Sequence, residues 1–230
     1  MVIAAGGSGD LGPQALSDLC EIYWYPIYSF LRRSYSDADA KDLTQGFFES
    51  LIRRDDLAKL TTERGKFRTY LLSALKNFQC NAWRRENAMK RGGDVQIVSI
   101  NFTDADEVYR SEPSDSMSPD VLFEARFAYA LFERSIERLK VYYRGKRKDD
   151  LLEELLPFIS PNAGERSYSE VSKNLGCSEG AARKAAHDIR NKLKECFRAE
   201  VFETVGDFSK VDDEIRYLIS ILGSHWPASA

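Results

Sequence analysis

The run from Arg166 to Arg198 constrains the fold of this chain more than any other stretch. It contains two segments with helical spacing of apolar residues. These apolar positions are Tyr168, Val171 and Leu175, then Ala182, Ala185, Ala186, Ile189, Leu193 and Phe197. Gly176 separates the two segments, since only glycine takes a left-handed helix-end conformation without strain. Ser178 follows as an N-cap. The run therefore predicts two helices joined by a tight turn.

The other face of the second predicted helix is polar and basic. Its candidate DNA-contacting residues are Ser178, Glu179, Gly180, Arg183, Lys184, His187 and Arg190. A short helix, a glycine turn and a basic second helix form the helix-turn-helix pattern, which places the start of the second helix in a DNA major groove. An ordinary helical hairpin with solvated charges is the alternative for this stretch alone. The rest of the chain has to decide between them.

Composition narrows the class of protein without naming a partner. A length of 230 residues allows one or two domains, and the net charge of −3 does not indicate nucleic-acid binding by itself. The four cysteines are scattered without metal-ligand spacing, which predicts reduced thiols in a cytoplasmic protein and no metal site. We find no apolar run of membrane-spanning length and expect residues 1–15 to be a loose leader.

Two helices are predicted in the first part of the chain. The first covers Leu16–Arg33, and the capping-box signature Ser36–Asp39 opens the second. The residues expected to be buried on the second helix are Leu43, Phe47, Phe48, Leu51 and Ile52. Its polar stripe consists of Asp39, Asp42, Gln45 and Glu49. Such a stripe is either a solvated face or a docking surface for a basic partner.

A third predicted helix begins near Phe67 and carries many more bases than acids. Its candidate contacts with melted DNA are Lys76, Asn77, Asn81, Trp83, Arg84 and Arg85. Bases, amides and an aromatic ring suit single-stranded DNA, because phosphates meet the cations while exposed bases stack or hydrogen-bond. The alternative is a solvated basic helix end with Trp83 buried.

The remaining segments complete an all-α prediction of two small helical domains, 16–92 and 121–200. Residues 93–120 are polar and acidic, which predicts a flexible linker between them. Residues 201–230 form an acidic extension with one helix, Val211–Leu222. We expect this helix to pack on the helix-turn-helix domain, either restraining DNA binding or simply enlarging the core.

Three motifs, in this order, resemble those of bacterial RNA polymerase sigma factors of the extracytoplasmic-function class. Residues 39–48 are similar to the polymerase-docking helix of that family, 67–85 to its promoter-melting helix, and 168–180 to its helix-turn-helix. Ser172 departs from the alanine that the family often has there. The resemblance implies a polymerase-binding set of Asp39, Asp42, Leu43, Gln45, Phe48 and Glu49.

The resemblance implies a transcription initiation factor that directs core RNA polymerase to promoter DNA. It implies no cofactor and no membrane insertion, and it allows an anti-sigma or other regulatory protein as a further partner. A DNA-binding regulator without polymerase docking is the nearest alternative, and a partner-sequestering interaction module is the next. An enzyme is the least supported class, since only His187 and His225 are present and neither lies in a catalytic pattern.

Overall fold

The computed structural model describes residues 13–53, 66–89, 109, 117–158 and 167–225, with the backbone alone at 13–17, 53, 83–89 and 225. Every regular element in these ranges is helical, which confirms the all-α prediction. The elements are α1 (Pro13–Arg32), α2 (Asp37–Arg53), α3 (Phe67–Met89), α4 (Pro119–Gly145), α5 (Asp149–Leu155), a 3-10 turn (Leu156–Phe158), α6 (Tyr168–Asn174), α7 (Glu179–Val205) and α8 (Phe208–His225).

The chain forms two compact units with boundaries that differ from those expected. The first unit contains residues 1–130 and 201–230, and the second contains residues 131–200. Helices α4 and α7 each contribute residues to both units. The first turns of α4 and the whole tail therefore belong to the first unit. The expected linker, 93–120, lies mostly outside the described residues.

Aromatic side chains explain why the start of α4 belongs to the first unit. Tyr23 of α1 stacks on Phe127 of α4 with 5.0 Å between ring centroids. The same ring meets the edge of Phe67, the first residue of α3, at 5.2 Å. All three side chains are buried. The spacing of apolar residues within α4 does not indicate which helices will cover Phe127.

Helix α8 packs in the first unit, which corrects our expectation that it packs on the helix-turn-helix domain. Val211 and Leu218 are fully buried, and Glu214 is 1% exposed. Glu214 accepts a hydrogen bond from Arg68 Nε at 3.0 Å and pairs with Lys66 Nζ at 2.5 Å. A buried carboxylate needs cationic partners, and the start of α3 supplies both.

The second unit has a separate apolar core built on the helical stripe of α7. Its buried cluster comprises Leu139, Tyr143, Leu152, Leu155, Val171, Ala182, Ala186, Ile189, Leu193 and Cys196. The two fully buried alanines, Ala182 and Ala186, leave little side-chain bulk on the inner face of α7, which allows other core residues to pack close to its backbone. The buried stripe predicted for the helix after Gly176 is thus confirmed, except that Ala185 is only partly buried.

Candidate functional site

Local hydrogen bonds define the starts of α6 and α7 and the turn between them. Ser167 and Glu170 form a reciprocal capping box at the start of α6. Gly176 has a φ of 61°, and the amide of Cys177 donates to the carbonyl of Ser172 at 2.9 Å. Ser178 Oγ then accepts from the amide of Ala181 at 3.2 Å, so it caps α7 as predicted. Ser167 was not predicted as a cap, although its Ser-x-x-Glu pattern was readable.

Most of the residues predicted to face DNA are exposed on α7 or at its N-cap. This group consists of Ser178, Glu179, Gly180, Arg183, Lys184 and His187. Arg183 is already oriented: its Nη2 lies 2.5 Å from the carboxylate of Glu179, and its guanidinium lies 5.0 Å from the centroid of the Tyr168 ring. Both members of the Glu179–Arg183 pair are well exposed, so a phosphate or a base can compete for the arginine at little energetic cost.

The structure gives Arg190 a different environment from the other predicted DNA contacts. Its Nη2 donates to the carbonyl of Phe158 at 3.1 Å and to the hydroxyl of Tyr168 at 3.2 Å. Arg190 is half-buried, and these bonds tie α7 to the end of the 3-10 turn and to α6. Asn191, which the sequence also places on the polar face, is exposed one helical turn beyond His187, and its side-chain amide lies 2.9 Å from the imidazole of His187.

Helix α2 presents the predicted acidic stripe beside a buried one. Asp39, Asp42 and Glu49 are exposed, while Leu43 and Gln45 are partly buried. Its core stripe is formed by Ala40, Thr44, Phe47, Phe48 and Leu51. The prediction that Ile52 belongs to this stripe is wrong: Ile52 is 45% exposed, although it lies only one helical turn beyond the buried Phe48.

Two further residues of α2, Phe48 and Asp37, have structural roles that differ from that of the exposed stripe. Phe48 is only 4% exposed, so its ring supports the surface from the core rather than forming it. Asp37 is bound by Lys41 and by the hydroxyl of Tyr28. Burial opposes ionisation of Asp37, but these hydrogen bonds prevail and lower the pKa of its carboxyl group. Asp37 therefore fixes the start of α2 to α1.

Helix α3 exposes part of the predicted surface for melted DNA. Asn77 and Asn81 are exposed, and Lys76 is paired with Asp120 at 2.5 Å. Trp83, Arg84 and Arg85 belong to α3, but their side chains lie outside the described residues. Arg68 is one of the bases of this helix, yet the structure buries it against Glu124 and Glu214.

Other kinds of site find little support in the part of the chain that the structure describes. No cluster of His, Cys, Asp and Glu suited to a metal ion occurs among those residues. None of the described helices combines the length and hydropathy of a membrane span. The four cysteines are unbonded, and burial raises the pKa of the Cys20 thiol to about 11, which keeps it protonated at neutral pH.

Comparison with known proteins identifies the family. The family model described as "ECF sigma factor" matches residues 30–199, which is well over half of the chain. The match spans all the helices from α2 to α6 and most of α7. No curated protein and no solved structure matches the chain. The chain belongs to the ECF sigma factor family, and is thus a non-enzymatic, DNA-binding transcription initiation factor that directs RNA polymerase.

Proposed function

We propose that this sigma factor divides promoter recognition and polymerase binding among three helices. Helix α7 reads the upstream, double-stranded promoter element, with α6 and α7 acting as a helix-turn-helix. The exposed face of α3, with Trp83, Arg84 and Arg85 near its end, takes the melted downstream element. The acidic stripe of α2 docks on core RNA polymerase.

The single observation that carries this proposal is the division of α7 into two faces. Ala182, Ala186 and Ile189 are fully buried, whereas the groove-facing residues at the start of the helix are exposed. A major groove about 12 Å wide admits an α-helix whose polar side chains reach base edges. Gly180 helps this approach because it carries no side chain, and its Cβ position faces open space: apart from its chain neighbours and the backbone of its own helix, nothing lies within 4 Å.

Two exposed carboxylates on the surface of α2, outside its buried stripe, support the docking role of this helix. Asp42 and Glu49 are exposed and lie seven residues apart, about 10 Å along one side of the helix. Exposed carboxylates of this kind set the specificity and rate of association with a basic partner more than the final affinity. Leu43 and Gln45, both partly buried, complete the surface between them.

Transcription with core RNA polymerase on a library of randomised promoters tests the whole proposal. Wild-type protein should select one family of sequences. Asp42→Lys should weaken polymerase retention in a pull-down and reduce transcription, but leave duplex binding unchanged. Glu153→Lys makes the same charge reversal at an exposed carboxylate of α5, outside the α2 stripe, and serves as the matched control. Equal retention of polymerase by Asp42→Lys and wild type would refute the docking assignment.

The proposed roles of α7 and α3 in DNA binding can be distinguished with different DNA substrates. Arg183→Ala should lose about 1–3 kcal/mol of duplex binding and relax the preference at one position if Arg183 reads a base. Arg84→Ala should chiefly impair binding to fork DNA with an exposed strand. An equal loss on intact duplex would count against a melting role for Arg84. A chain that binds selected duplexes but never supports initiation would be the DNA-binding regulator instead.

A further inference from the structure

A basic and aromatic pocket lies on the second unit, next to the polar face of α7. Its volume is about 370 Å³, and its lining residues are Tyr142, Tyr143, Lys146, Lys148, Asp188, Asn191, Lys192 and Glu195. The ammonium groups of Lys146 and Lys192 each lie 4.4 Å from the centroid of the Tyr142 ring. Two cations held on one aromatic ring form a preorganised positive wall.

The turn between α4 and α5 supplies much of this positive charge. Together with the last two residues of α4 it reads Arg144-Gly145-Lys146-Arg147-Lys148, and all five residues are exposed. The amides of Lys146 and Lys148 both donate to the carbonyl of Tyr143, at 3.0 and 3.1 Å. Arg147 has a φ of 55°, an uncommon conformation for a residue other than glycine. Such strain is concentrated at functional sites.

Carboxylates face the same pocket and limit what it can bind. Glu195 is 2.8 Å from Lys192, and Arg144 is 3.7 Å from Asp149 outside the pocket. Asp188 is the remaining acid of the lining. Three lysines against two carboxylates favour an anion approaching from the side of the turn, where the bases predominate. They disfavour a deeply inserted, highly charged ligand.

We propose that this pocket and turn bind the phosphate backbone of the duplex that α7 reads. The inference rests on the proposed function and extends its DNA footprint. Asn191 belongs both to the pocket lining and to the exposed surface that His187 begins. It lies eight residues beyond Arg183, or about 12 Å along the helix axis. The exposed face of α7 that carries Arg183 and His187 therefore continues to the pocket.

The lysine ammonium groups that line the pocket favour a phosphodiester backbone as its ligand. Lysine ammonium groups meet phosphate oxygens as point charges and carry no base preference. The pocket is open to solvent and lies beside the basic turn, so a continuous DNA backbone can run past both. The expected contribution is therefore independent of sequence and strongly dependent on salt.

Duplex affinity of the full chain, measured over a range of salt concentrations, tests this inference. Lys146→Ala/Lys192→Ala removes both cations from Tyr142. The matched control Lys140→Ala/Lys210→Ala removes two lysines that are 42% and 50% exposed and lie outside the pocket. The pocket variant should reduce the slope of log K against log salt by about 0.9 for each lost phosphate contact. The control should retain the wild-type slope on every duplex.

A third variant separates DNA binding from folding. Arg147→Gly removes one base and also relieves its positive φ, so the unfolding midpoint should not fall while the duplex affinity does. Equal slopes in the pocket variant, the control and wild type would overturn the inference. So would saturable binding of ATP at the pocket together with unchanged DNA slopes, because the site would then serve a free nucleotide.

These outcomes remain distinct from failure of the proposed function. If α7 does not read promoters, Arg183→Ala will leave sequence preference unchanged, whereas the salt slope of the pocket variant will still fall. If the pocket does not meet phosphates, Arg183→Ala will alter preference and the pocket variant will behave as its control.

Discussion

Arg68 shows how a single side chain acquires a role that its type does not reveal. Its guanidinium contacts Glu124 and Glu214 and lies 4.3 Å from the centroid of the Tyr217 ring. Burial would lower its pKa, but the hydrogen bond and charge of Glu214, reinforced by Glu124, raise the pKa instead. Arg68 therefore stays charged and links α3 to α4 and α8.

Removing the charge of Glu214 should destabilise the protein strongly. Glu214→Gln keeps the shape of the side chain but leaves Arg68 and Lys66 with less compensation in a buried site. We expect a loss of about 3 kcal/mol in the free energy of unfolding. Asp213→Asn on the same helix is the control, since its pair with Arg216 is highly exposed and should contribute less than about 1 kcal/mol. Similar urea midpoints for the two variants would contradict the prediction.

Tyr217 should make stability fall at alkaline pH. Burial, together with its hydrogen bond to Glu124, raises the pKa of Tyr217 from 10.0 to about 12. Between these values the folded state retains a proton that the unfolded state has released, so stability decreases as pH rises. Tyr217→Phe should show a shallower decline over that interval in urea unfolding. An identical pH dependence in variant and wild type would exclude this contribution.

At the scale of elements, two glycines near the α6–α7 turn have opposite requirements. Gly176 has a positive φ, and apart from its two chain neighbours no residue has an atom within 4 Å of the position that a Cβ would occupy there, so backbone strain alone demands glycine. Gly180 lies in the first turns of α7 with an equally open Cβ position but no positive φ. Helix geometry therefore favours alanine at Gly180 and opposes it at Gly176.

Alanine at these positions should separate stability from DNA binding. Gly176→Ala should cost about 1 kcal/mol because it forces an L-residue into the left-handed region. Gly180→Ala should stabilise α7 by up to about 1 kcal/mol. The added methyl group of Gly180→Ala should nevertheless weaken duplex binding if α7 enters the groove closely. Thermal unfolding and duplex titration of both variants check this, and unchanged DNA affinity in Gly180→Ala would argue against close approach there.

At the scale of the whole molecule, the chain returns to its first unit after completing the second. Residues 201–225 bring buried Val201, Val211 and Leu218 into the unit that contains α1 to α3. Glu214 and Tyr217 then join α8 to Arg68 and Glu124. The acidic tail is thus part of the structure that holds α3, the helix proposed to contact melted DNA.

Deletion of residues 207–230 should loosen the first unit selectively. Amide hydrogen exchange in α1 and α3 should accelerate, because the deletion exposes core surface and leaves Arg68 without Glu214. Exchange in α5 and α6, which belong to the second unit, should change little. Deletion of 226–230 alone is the control, since it leaves α8 intact. Unchanged exchange in α1 and α3 after the longer deletion would show that α8 does not support them.

The sequence by itself determined the helices and much of the candidate surface. Periodicity and capping signals are local, so they predicted α2 and α7 with their exposed stripes, the turn at Gly176 and the cap at Ser178. Tertiary structure alone decided which helices these elements meet. It assigned Phe127 and α8 to the first unit, buried Arg68, gave Arg190 internal partners and left Ile52 exposed. These outcomes depend on contacts between residues far apart in the chain, where spacing within one helix carries no information about the partner that will cover a side chain.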